Sequence, residues 1–166
     1  MTGFLLVAVF AAWLVFVVFV TRYVIRLFES NFLRVIGGVS IFLVLLILPL
    51  IDELVGKWQF KSLCKSYAVV QVDEEHAYNR NVFSEVRKED RYVEGVMLKI
   101  RIDPYVYRDV ETGYIIVKYH TLHAQGGWLV RFLGVSEVNA PLLFERGCAP
   151  SNRYDFKKIF GIKVVN

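Results

Sequence analysis

Residues 35–51 read VIGGVSIFLVLLILPLI and residues 3–20 read GFLLVAVFAAWLVFVVFV, and neither stretch holds a charged side chain. Each is close to the ~20 residues that cross ~30 Å of hydrocarbon at a rise of 1.5 Å per residue. Backbone in lipid must satisfy its own hydrogen bonds, so both are expected to be helices. The reading is a transmembrane helical hairpin over residues 1–51, with spans at about 3–20 and 35–51. A cleaved signal peptide fits less well. Met1-Thr2-Gly3 offers no basic start, the apolar run exceeds the usual 7–15 residues, and no small-x-small cleavage site follows it.

Composition agrees. The chain has 166 residues, 55% of them hydrophobic, a net charge of +4 and a mean hydropathy of +0.43. That is too apolar for an ordinary soluble domain, and the excess lies at the front. From Asp52 onward the sequence is that of a normal globular domain, long enough for a core of its own. Its basic residues are spread out, without the dense stripe of a nucleic-acid binder, so no nucleic-acid partner is expected.

Small residues suggest how the spans meet. Ala8 and Ala12 form a small-xxx-small pair, and Gly37 and Gly38 lie early in the second span. Such residues let helices approach closely in lipid. Packing within one hairpin is the simplest use, and a homo-oligomer is the alternative. Pro49 is expected to kink or end the second span, with Asp52 and Glu53 marking the exit into water.

Charge then bears on orientation. The link, residues 21–34, carries Arg22, Arg26 and Arg34 against Glu29. Short basic loops stay in the cytoplasm, which would put the N-terminus and the C-terminal domain on the other side. Lys57, Lys61 and Lys65 argue the opposite way. Spaced by four, they form one stripe on a helix over 52–66, able to meet lipid phosphates or simply water. The only cysteines, Cys64 and Cys148, stand near the two ends of the domain. They fit one disulfide in an oxidising compartment, or two unrelated buried thiols.

Residues 67–166 read as a small α+β domain built on an antiparallel β-meander. Short strands are expected over 67–72 and 105–110. Val96, Leu98, Ile100 and Ile102 alternate with Met97, Lys99, Arg101 and Asp103, the period of a half-buried strand. Thr112-Gly113 and Gly126-Gly127 are turn signals, giving a long strand over 114–124 and a returning one over 128–133. Residues 73–91 read as a polar loop, and 154–159 as a short helix.

In this frame the segment Pro49-x-x-Asp52-Glu53-x-x-Gly56-x-x-x-Phe60-x-x-Leu63-Cys64 resembles one in short, uncharacterised proteobacterial inner-membrane proteins, where it follows an N-terminal membrane segment. Thr112-Gly113, Gly126-Gly127-Trp128 and Cys148-Ala149-Pro150 follow in the same order, so the resemblance spans residues 49–150. It implies a bacterial inner-membrane protein and a Cys64–Cys148 bridge. It implies no activity, and this chain departs in having two spans where many have one.

Reactive constellations are sparse. His120 and His123 fall on opposite faces of a strand. Asp73-Glu74-Glu75-His76 lacks the ligand spacing and glycine of a Ca²⁺ loop. No nucleophile elbow, phosphate loop or HExxH is present, so no catalytic residue, metal or cofactor is assigned. Tyr105, Tyr107, Tyr114, Tyr119 and Trp128 cluster around the expected hairpins. They are either core or an exposed aromatic binding face. The expected function is a non-catalytic envelope protein whose periplasmic domain binds another membrane or envelope protein as an accessory or assembly subunit. The alternatives are an immunity or exclusion protein against a toxin or phage, and an envelope-active hydrolase using the 73–76 loop.

Overall fold

The computed structural model of the chain describes residues 2–28, 30–86, 91–134 and 139–165, with residues 2, 3, 5, 6 and 86 described by backbone alone. Glu29 of the link and residues 87–90 of the polar segment lie outside them. Two long apolar helices, α1 (Thr2–Ile25) and α2 (Asn31–Ile47), run antiparallel. Both extend beyond the expected limits at the link, because nothing in residues 21–25 or 31–34 breaks a helix. Arg22 therefore lies in the last turn of α1 and Arg34 in the first turn of α2, and only residues 26–30 connect them.

The seam between these helices follows Trp13, Val17 and Thr21, spaced four apart on α1. Val17 is fully buried, and Trp13 Nε1 donates to the Leu45 carbonyl at 3.2 Å. Gly37 meets the Phe28 ring and Gly38 the Ile25 side chain. Ala8 and Ala12 do not join this seam; they are exposed. The close approach is thus made by the glycines of α2 against large side chains, and the alanine pair on α1 has no part in it.

Pro49 interrupts the helical run in a single 3-10 turn, Leu48–Leu50, before α3 (Ile51–Tyr67) resumes. Asp52 and Glu53 occupy the first turn of α3, where negative charge suits the helix dipole. Lys57, Lys61 and Lys65 lie exposed on one side of α3, while Phe60 is buried on another. Gly56 lets α3 approach the sheet so closely that a Cβ there would overlap Leu98.

The domain's sheet is ordered β1 (Gln71–Val72), β5 (Ile115–Ala124), β4 (Ile100–Asp109), β2 (Asn81–Val86) and β7 (Lys163–Val165). Short β3 (Arg91–Tyr92) pairs with β4, and β6 (Gly147–Cys148) with β5. The central hairpin β4–β5 turns at Glu111-Thr112-Gly113, with Gly113 at φ 73°. Its turn is anchored by buried Asp109, which accepts from Thr112 Oγ1 at 2.7 Å. That hydrogen bond, helped by Arg80 and opposed by burial, holds the Asp109 carboxyl below its ordinary range.

Four expectations are corrected here. The sheet is mixed, because β7 runs parallel to β2. The polar segment 73–91 contains β2, whose ladder partners come from β4 and the C-terminus. In place of the two strands expected over 96–102 and 105–110 there is one, β4, which begins only at Ile100, leaves residues 96–99 outside the sheet and runs through Pro104. Along that edge Pro104 falls after β3 has ended and before β2 begins, where a missing N–H costs no ladder bond. Finally, residues 128–133 form a helix, α4 (Trp128–Leu133), closed by Gly134 at φ 60°. Helix α5 (Asp155–Ile159) lies in the segment expected to be helical.

Two cores flank the sheet. Face B, bearing Ile100, Ile102, Leu122 and Ala124, is covered by Phe60 of α3. Face A, bearing Tyr107, Val117 and Tyr119, is covered by Phe156 and Phe160 at α5.

Candidate functional site

The clearest polar construction is a carboxylate clamp between α3 and the domain. Glu53 is 1% exposed. Its Oε1 accepts the Gly127 N–H at 3.0 Å, and its Oε2 accepts those of Leu142 and Leu143 at 2.9 and 3.2 Å. Asp52 Oδ2 accepts the Trp128 N–H at 2.6 Å. The two carboxylates satisfy donors at the start of α4 that a helix cannot satisfy itself. Gly127 permits the approach, since a Cβ there would overlap the Asp52 carboxylate. The expectation that these acids simply mark an exit into water is therefore corrected for Glu53: it is buried and fully engaged.

The clamp sets α4 against the apolar hairpin. Trp128 and Leu129 join Val9, Phe10, Ala12, Trp13, Phe16 and Pro49 around an apolar groove. Phe132, four residues after Trp128 and on the same side of α4, is 82% exposed.

Farther along face B, beyond the end of α3, the sheet is uncovered and forms a trough of about 730 Å³. Its apolar floor is Ile102, Pro104, Val106 and Ile115; Tyr67 and residues 91–94 form opposite walls. Arg108, Lys118, His120 and Arg91 supply positive or polar groups, and Glu85 and Glu94 supply carboxylates. Arg108 Nε donates to Glu85 at 2.7 Å. Among the described residues, Arg91 and Lys118 make no ion pair. His120 is held below its ordinary pKa by burial first and by Lys118 and Arg91 next. It is therefore neutral near pH 7, and the fixed charges of the trough are the arginines, the lysine and the two glutamates.

The aromatic cluster singled out in the sequence is divided by the fold. Tyr107 and Tyr119 are core, at 6% and 3% exposure, and Tyr105 stacks on Tyr119 with ring centroids 5.1 Å apart. Tyr114 is exposed at the β4–β5 turn, and Trp128 is on α4. A single exposed tyrosine face is thus overturned: β-strand alternation puts Tyr105, Tyr107 and Tyr119 together on face A, where α5 covers most of it. Cys64 and Cys148 form a disulfide with Cα atoms 6.1 Å apart, tying the C-terminal half of α3 to β6. His76 Nδ1 lies 3.0 Å from Asp73 Oδ2 in an exposed turn, and no group of three or more metal-ligating residues occurs among the described residues.

Sequence reasoning missed the trough. Its only signal was that Pro104, Val106 and Arg108 share one parity on β4, while Lys118 and His120 share the matching parity on β5. Comparison with protein-family models, curated proteins and solved structures matches none of them.

Proposed function

We propose that this chain is a bacterial inner-membrane protein whose two apolar helices span the bilayer and whose periplasmic domain binds an acidic segment of another envelope protein in the face B trough. The observation that carries the binding reading is the trough itself. An uncovered apolar floor runs along two strands and is bordered by two cations, Arg91 and Lys118, that make no ion pair among the described residues. An extended acidic chain laid along β4 and β5 would bury that floor and pair those cations.

The membrane reading rests on the helices. Val7–Ile25 and the apolar start of the helical run Asn31–Tyr67 are long and apolar enough to cross a bilayer. Antiparallel register, fixed by Trp13 against Leu45, sets Val9 near the level of Pro49. Trp128 and Phe132 then fall at the boundary where aromatic side chains favour the membrane interface. Orientation rests on the arginines gathered at the short link and on the disulfide, which suits an oxidising compartment. The bacterial inner membrane rests on the resemblance over residues 49–150.

A photo-crosslinking residue at Tyr92, in intact cells, tests the binding reading. An adduct with an envelope protein is expected, abolished by Arg91→Glu with Lys118→Glu. Crosslinker at Tyr78, exposed and edge-on to the Phe160 ring behind the opposite face, should give none. Equal adducts from both positions, or an adduct indifferent to charge reversal, would contradict the proposal. A toxin or phage component as the captured partner would instead support the exclusion reading.

A further inference from the structure

Helix α3 has two opposite faces. Glu53, Gly56 and Phe60 are buried against the domain. At ~3.6 residues per turn, Ile51, Leu54, Val55 and Trp58 stand on the side away from them, and all four are exposed. Their spacing of three and four continues an exposed apolar stripe that includes Ile47 and Leu48 before Pro49. Trp58, at 83% exposure, meets almost nothing in the protein. A contiguous apolar surface of this kind marks an interaction site.

The spans give the depth of this face. The Trp13–Leu45 hydrogen bond fixes the antiparallel register, and carried on it sets Gly3 level with Val55. Residues 3–8 hold no charge. Gly3 to Arg22 covers about 28 Å at ~1.5 Å per residue, close to the ~30 Å of hydrocarbon. Asp52 is the first charged side chain after the second apolar run. The edge of the hydrocarbon therefore falls between the levels of Asp52 and Val55, at the start of α3. Trp58 stands about 5–9 Å past that edge, Lys57 about 3–8 Å and Lys61 about 9–14 Å. Helical side chains lean back toward the N-terminus, and lysine stems extend along apolar surface toward the phosphates. These three thus reach a headgroup layer about 5–7 Å deep. Lys65 starts about 15–20 Å past the edge and stays above that layer.

Charge on this side of α3 is positive. Lys57 and Lys61, four apart, are neighbours on the helix surface, and both are exposed. Lys57 Nζ donates to the Leu143 carbonyl at 3.4 Å, a long bond that uses one donor of the ammonium. Neither lysine makes an ion pair among the described residues. The two acids of α3 are committed elsewhere: Glu53 is buried on the Gly127, Leu142 and Leu143 N–H groups, and Asp52 caps α4 at Trp128. No carboxylate of α3 opposes a phosphate beside Lys57 and Lys61.

We infer that this face of α3 docks on the bilayer surface and holds anionic phospholipid, with Lys57, Lys61 and the Trp58 indole at the headgroup phosphate and Ile51, Leu54 and Val55 against the acyl chains. The inference rests on the reading of α1 and α2 as membrane spans. A lipid surface suits the face better than a protein partner does. Apolar side chains, then tryptophan, then lysine, in that order of depth, match the gradient of a bilayer from hydrocarbon to phosphate.

The test uses the full chain reconstituted in vesicles of equal parts phosphatidylcholine and phosphatidylglycerol. Bromine, a tryptophan quencher, is carried on the acyl chains of one lipid or the other. Trp58→Phe is the companion variant: the emission lost between parent and variant belongs to Trp58, and what remains reports Trp13 and Trp128. The Trp58 component is expected to be quenched by both lipids, and more strongly by brominated phosphatidylglycerol. That preference, about fivefold in relative affinity for each lysine engaged, should vanish in Lys57→Gln with Lys61→Gln and survive Lys65→Gln. An unquenched Trp58 component beside quenched Trp13 and Trp128 would overturn the inference while leaving the spans in place. Blue emission from Trp58 would then assign the face to a protein partner, and water-like emission to solvent. No quenching of any tryptophan would remove the spans themselves. Equal quenching of Trp58 by the two lipids, or a preference indifferent to the loss of Lys57 and Lys61, would overturn the headgroup assignment.

Discussion

Glu53→Ala is expected to cost the fold about 3–5 kcal/mol, a large part of the 5–15 kcal/mol that separates an ordinary domain from its unfolded chain. Three backbone N–H groups converge on this one carboxylate, from Gly127, Leu142 and Leu143. Hydrogen bonds to a charged group contribute about 1.5–3 kcal/mol each, and the buried donors left behind carry their own desolvation cost. Water reaches Leu142, which is exposed, so the three losses do not simply add. Glu53→Gln keeps the size but turns an amide N–H₂ toward donors, and should cost less than alanine but more than Asp52→Asn. Asp52 is only half-buried and caps α4 through the Trp128 N–H alone. Urea unfolding of the detergent-solubilised protein, followed by near-ultraviolet circular dichroism, measures the order Glu53→Ala, Glu53→Gln, Asp52→Asn. Equal midpoints for all three and the parent would remove the clamp from the account.

Reduction of the disulfide is the second large effect. Cys64 and Cys148 are separated by 84 residues and enclose nearly the whole sheet. Closing a loop of that length removes unfolded-state entropy of about 4.5 kcal/mol in the chain-entropy model. The Cys64→Ala, Cys148→Ala double variant and the reduced parent should therefore lose stability by similar amounts, read as parallel shifts of the urea midpoint. A midpoint indifferent to reductant would mean that the bridge does not constrain the unfolded chain.

Local signals explain which parts of this fold were legible. The apolar runs, the break at Pro49, and the helix carrying Lys57, Lys61 and Lys65 on a side away from the core all follow from neighbours within a few turns. So do the Thr112-Gly113 turn and the strand up to Ala124. Residues 128–133, WLVRFL, favour a strand by propensity, and they became a helix because Asp52 and Glu53, distant in sequence, satisfy its first donors. Strand β2 was obscured by its polar residues; what makes it a strand is β4 on one side and the C-terminal β7 on the other. The clustering of tyrosines was visible, but whether they faced solvent depended on where α5 settles. The trough depends on cross-strand register, which joins residues such as Val106 and Lys118 that no short motif connects.

Cysteine labelling in intact cells tests whether the clamped, disulfide-bearing domain lies on the periplasmic face, as proposed. A membrane-impermeant maleimide is applied with and without prior treatment by a reductant confined to the periplasm. No labelling of Cys64 or Cys148 is expected before reduction, and labelling of both is expected after it, with the inner membrane intact. Labelling without reduction, and only after the inner membrane is permeabilised, would contradict it: the domain would be cytoplasmic and its cysteines free.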